Sequence, residues 1–145
     1  MNAPLYNREI LRLAAQAPAA ERLAEPMAQV EKRSPICGSR VLVEVNADAA
    51  GTVAAMGMQV RACALGQASA ALMAAHAIGR SPGELATARD ALAAWLAGAG
   101  PLPDWPGLDI FTPALPHSAR HASIRLAFEA AAEAAAEAAA LATPR

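Results

Sequence analysis

The chain has 145 residues, a length that suits one domain. It holds 42 Ala, five aromatic residues and two Cys, so neither a disulfide-rich scaffold nor a four-Cys zinc ribbon fits. A net charge of -1 gives no basic excess for a dedicated nucleic-acid binder, and an apolar fraction of 55% is too high for a disordered chain.

Residues 5–17 read as a helix, with Tyr6, Ile10, Leu13 and Ala17 on one face, Arg8 and Arg12 on the other, and Pro18 as its stop. The charges at Arg8, Glu9 and Arg12 leave no clean apolar core for a secretory signal. The period then changes from 3.6 to 2. Residues 27–33, 40–46 and 52–60 read as three strands, the second marked by Val41, Val43 and Val45 at alternate positions. Residues 34–39 form the first turn and Asp48-Ala49-Ala50-Gly51 the second. The expected fold class is α+β: a three-stranded antiparallel meander, which needs helices over one face to be stable.

The helices follow. Residues 63–78 are Ala-rich, with Leu72 and Met73 as the bulkier members and Gly79 at the end. This stretch lies within the longest uncharged run, Ala62 to Gly79, but Gln67, Ser69 and His76 argue against a membrane span. Ser81-Pro82-Gly83-Glu84 is a capping box with Pro at the first helical position. Its helix should turn Leu85, Ala88, Leu92 and Trp95 or Leu96 inward and end at Gly98. Residues 98–117 hold five Pro and three Gly, a loop of a length that is often functional. The last helix spans about 118–142. Its Ala-Ala-Ala-Glu repeat reads as a solvated extension, with only Ile124, Leu126 and Phe128 near the core. The organisation expected is a single domain over 1–145, with 130–145 as a helical tail.

The chemistry-bearing residues are few. Cys37 precedes the second strand and Cys63 follows the third, so the meander brings both to one end of the sheet. Cys63 also opens a helix, whose free N–H groups suit a thiolate. The plain alternative is two inert, buried thiols. His117 and His121, at i and i+4, are spaced to share a metal or simply to face solvent. His76 reads as a packed or surface residue, and Arg40, Arg61 and Arg120 as surface charge or as a setting for an anionic partner. No nucleophile elbow, phosphate-binding Gly loop or carboxylate pair stands near the thiols, so the reading is not an enzyme and no catalytic residue is assigned.

One family brings these features together. Leu5-Tyr6 with Glu9-Ile10-Leu11, Pro35-Ile36-Cys37-Gly38, Ala62-Cys63-Ala64 with Ala68-Ser69, and the run from Arg120 to Phe128 occur in the order seen in iron–sulfur cluster assembly scaffolds. The chain resembles the IscU/SufU/NifU N-terminal family over about residues 5–130, and its long Pro-rich stretch resembles the SufU-type branch. The resemblance implies a site of three Cys and an Asp that holds a nascent Fe–S cluster, iron or zinc. It also implies a cysteine desulfurase as sulfur donor and apo Fe–S proteins as acceptors. Independently of the resemblance, 11 Arg against one Lys and the Ala excess suggest a GC-rich bacterial coding sequence, and the composition points to a cytoplasmic protein with no nucleic acid or membrane as partner. Cys37 and Cys63 match the first two Cys. Ser39 stands at the Asp position, and Ser123, or Ala122 after a one-residue shift, at the third Cys; Ala62 replaces the Gly before the second. The candidate ligand set is therefore Cys37 and Cys63 with His121, Ser123, Ser39 or His117 as further donors, or a homo-oligomer that supplies them. The alternative is a degenerate scaffold in which Cys63 accepts persulfide sulfur without stable metal.

Overall fold

A computed structural model describes residues 7–16, 22–35 and 38–142. Alternating Val makes one strand face apolar, and the structure uses that face to build the core. Strands β1 (Ala28–Arg33), β2 (Arg40–Ala47) and β3 (Val53–Arg61) form one antiparallel sheet in the order β1-β2-β3. The register pairs Val30 with Val43 and Val43 with Met58, so one face carries Ala28, Val30, Val41, Val43, Val45 and Met58, all buried. Side chains settle the strand starts. The Met27 amide donates to Asn46 Oδ1 at 2.7 Å instead of joining the ladder. Thr52 is committed to Asp48, whose Oδ1 accepts the Thr52 amide at 3.0 Å.

Helix α4 (His121–Ala142) crosses the apolar face over β1 and β2, and α2 (Ala64–Ala77) and α3 (Pro82–Leu96) pack on it. Helix α1 (Arg8–Gln16) packs on α2, with Ile10 buried and Asn7 Oδ1 accepting the Ile10 amide. Tyr6, Ala17 and Pro18, expected to face inward on and to end that helix, lie outside the described residues. The capping box of α3 is present in both directions, with 3.1 Å bonds between Ser81 and Glu84, and Leu85, Ala88, Leu92, Trp95 and Leu96 are all buried.

One expectation needs correction. The Ala-Ala-Ala-Glu stretch is helical but not a solvated extension: Ala130, Ala131, Ala132, Ala134, Ala135 and Ala138 are buried. Small side chains let α4 lie close against the sheet and α3, so the burial comes from backbone proximity and not from side-chain size. Sequence periodicity could not register it, because Ala weighs little in an apolar pattern. The Pro-rich segment also packs inward. It forms a 3-10 helix over Leu108–Ala114, and Trp105, Leu108 and Phe111 are buried. Trp105 Nε1 donates to the Leu72 carbonyl at 2.9 Å, and its ring meets Phe128 edge-on at 5.3 Å.

The other sheet face carries one buried carboxylate. Glu44 accepts two 2.9 Å bonds from the Arg22 guanidinium and one at 3.0 Å from the Leu23 amide. The Arg22 hydrogen bonds hold the Glu44 carboxyl below its usual range, against the opposing effect of burial. No helix among the described residues is long and apolar enough to cross a membrane.

Candidate functional site

Arg40 opens β2 directly opposite Arg61, which closes β3, so the segments before one and after the other leave the same end of the sheet. The turn before β2 is tight. The Ser34 amide donates to the Ser39 carbonyl at 2.8 Å, and Gly38, at φ 72°, donates to the Ser34 carbonyl at 3.1 Å. Gly38 takes the left-handed conformation that other residues adopt only at a cost. Cys37 and Ile36 lie outside the described residues.

On the β3 side, Cys63 is the N-cap of α2, in extended backbone (φ -65°, ψ 171°), half-buried and making no side-chain cap bond. The first turn of α2 touches the first turn of α4. A Cβ placed on Gly66 would stand 2.7 Å from Ala62 Cβ and 3.3 Å from the Ser123 carbonyl oxygen, and Ser69 Oγ donates to the Ile124 carbonyl. Gly at position 66 therefore permits the approach that carries Ser123 to the sheet end. There Ser123 Oγ lies 3.2 Å from Ser39 Oγ, both residues buried. The two positions suggested for the Asp and the third Cys thus meet in space, and Ser123, not Ala122, faces Ser39.

The histidines do not join this group. His121 Nε2 lies 2.9 Å from the Ala114 carbonyl oxygen, which can only accept, so Nε2 carries the proton there. His121 also lines a hollow of about 300 Å³ with Leu96, Ser118 and Arg125. His117 is exposed at the start of a short 3-10 turn that also holds the exposed Arg120. His76 packs edge-on against Trp105, at 6.2 Å between ring centroids. Among the described residues no three His, Cys, Asp or Glu side chains gather in a way that could hold a metal ion. Sequence reasoning missed the serine pair as a contact. Pairing β1 with β2 from the turn would have shown one more feature, Arg33 beside Arg40.

No family model matches the sequence, and no curated protein is similar to it at a significant level. Among solved structures, a nitrogen-fixing NifU-like protein (N-terminal) from Brucella abortus is 38% identical, with 92% of this chain and 94% of that one covered and a TM-score of 0.86. The chain belongs to the IscU/SufU/NifU N-terminal scaffold family. A proposed iron–sulfur cluster assembly scaffold for the SUF system from Fervidobacterium islandicum shares the fold, with a TM-score of 0.82 at 17% identity over 90% of this chain and 96% of that one. For this NifU-like chain the described donors at the sheet end are one thiol and two hydroxyls. Neutral hydroxyls are weak ligands for iron or zinc beside thiolate, imidazole or carboxylate, so these described donors alone do not make a stable metal centre; Cys37, the second thiol of the candidate set, lies outside the described residues.

Proposed function

We propose that this NifU-like protein works in iron–sulfur cluster assembly as a sulfur acceptor that docks on a cysteine desulfurase, the whole chain acting as one domain. The observation that supports this most is the buried Ser39–Ser123 hydrogen bond, which occupies two of the four ligand positions with hydroxyls turned to each other. Cys63, at the N-cap of α2, is half-buried and makes no side-chain cap bond. Its thiolate attacks the outer sulfur of the desulfurase persulfide. A new S–S bond forms at Cys63 Sγ as the desulfurase S–S bond breaks, the desulfurase cysteine leaves as thiolate, and the transferred sulfur keeps its proton. No net oxidation occurs. The protein is loaded once per chain, as a carrier and not an enzyme, and passes sulfur on toward apo Fe–S proteins. A cytoplasmic setting, where thiols stay reduced, suits this use.

Incubation with a desulfurase and free cysteine, followed by intact-mass spectrometry, tests it. One added sulfur atom is expected on the wild type and on Cys37→Ala, and none on Cys63→Ala. Absence of an adduct together with unchanged desulfurase turnover overturns the reading.

Family membership favours a second reading: iron, a cluster or zinc carried as transient cargo by Cys37 and Cys63, with the further donors supplied by a second copy. Anaerobic purification with metal and labile-sulfide analysis separates the two. Equal, low content in the wild type and the Cys37→Ala/Cys63→Ala variant removes the cargo reading.

A further inference from the structure

Arg33 stands directly opposite Arg40, and Arg40 directly opposite Arg61. Residues so paired share a sheet face with Cβ atoms about 4.5–5.5 Å apart, and like charges placed this way destabilise a sheet. The neighbouring row, Lys32, Val41 and Val60, belongs to the face under α4, so the arginines stand on the opposite face. Glu31 reaches Arg33 at 3.0 Å and Arg40 at 3.6 Å. Arg61 is exposed and makes no ion pair among the described residues. Of the chain's 13 acidic residues none falls in 34–40 or 61–67, the segments that leave this end. Three guanidinium groups in a row, answered by one carboxylate, cost the isolated fold stability. Such local conflicts concentrate where a surface has work to do.

We propose that this arginine row is a docking surface for an acidic segment of a partner protein. Strand spacing of about 4.8 Å makes the row about 10 Å long, and alternate residues of an extended segment lie about 6.6–6.8 Å apart. A segment with several carboxylates, laid across the strands, can therefore engage all three arginines, whose planar forks suit carboxylate pairing. A small tetrahedral anion reaches only two neighbours. A polynucleotide would need a longer basic track than a chain of net charge -1 offers here. Arg61 is two residues before Cys63, so the row and the thiol leave the same end of the sheet. The inference holds whether that thiol carries sulfur or metal.

A fluorescein-labelled peptide of alternating Glu and Ser, titrated by anisotropy into the full chain at low and high salt, tests this surface. The wild type should bind at low salt and release as salt rises. Arg33→Gln/Arg40→Gln/Arg61→Gln should bind at least tenfold more weakly, while Arg8→Gln/Arg12→Gln on α1 binds as the wild type does. The triple variant should melt no lower than the wild type, since it relieves repulsion. No binding by the wild type, equal loss in the α1 variant, or a triple variant that melts lower yet keeps its affinity each overturns the proposal. So does arginine-dependent binding of inorganic phosphate or single-stranded DNA in preference to the peptide.

Discussion

The two ends of the sheet are built on opposite principles. At the hairpin end the polar groups are answered locally. The Asp48 carboxylate accepts from the amides of Ala50 and Thr52, each at 3.0 Å, and from the Thr52 hydroxyl. The chain is then tied across to the α2–α3 connection, where Val53 donates to the Arg80 carbonyl at 2.9 Å and Gly79 to the Val53 carbonyl at 2.8 Å. The small-residue end of α4 closes over it, with Ala139 Cβ 3.6 Å from where a Cβ on Gly51 would sit. At the opposite end three arginines stand abreast, a thiol caps a helix without bonding its amides, and two buried serines meet where the family resemblance implies a carboxylate and a thiolate. One end is consistent at every level, and the other carries the conflicts. That contrast is the one expected between a structural end and the end proposed above to carry sulfur.

The contrast can be broken from either side. The largest effect is expected at the hairpin end, where Ala138→Asp buries an unpaired charge under α4 and should cost about 3 kcal/mol or more, read by urea denaturation. At the opposite end, Ser123→Ala removes one partner of the serine pair and should cost about 1 kcal/mol in the same assay. Acid should sharpen the difference. Asp48 titrates below its usual range, first because of the Thr52 hydroxyl and then because of backbone amides, and Glu44 does so because of Arg22. A lowered folded pKa contributes stability that is complete above the unfolded value, near 4, and is lost as pH falls through the folded one. Thermal melts should therefore drop below about pH 4, less steeply in Asp48→Asn, and hydrogen exchange should rise first around 48–53. The smallest effect is expected for Arg61→Gln, which relieves one cross-strand repulsion and should change stability by a few tenths of a kcal/mol, in the stabilising direction. A clear loss of stability in Arg61→Gln would mean that the row is a structural feature.

Much of this architecture was legible because it rests on local rules. Val41, Val43 and Val45 announce a half-buried strand, and Ser81 with Glu84 announces a helix start; both stand as expected. The site was half legible. The position of Cys63 at the start of α2 follows from the change of period, and the meander puts the start of β2 and the end of β3 at one sheet end; Cys37 itself lies outside the described residues. The role of His121 was not legible, because i, i+4 spacing gives a shared helix face but not its direction, and the packed 3-10 segment offers the Ala114 carbonyl to the ring. The buried alanines of α4 were hidden for a related reason, since their burial depends on how closely the helix approaches the sheet.

By itself, then, the sequence determined the order of elements, the caps and turns, the apolar sheet face and the place of Cys63 at the start of α2. All are set by interactions within a few residues or by strict strand alternation. Only the tertiary structure decided that Ser39 and Ser123, 84 positions apart, share a hydrogen bond, that His121 turns away, and that Arg33, Arg40 and Arg61 form one row. Those outcomes depend on strand register and on the close approach at Gly66, and both are fixed by packing between distant segments.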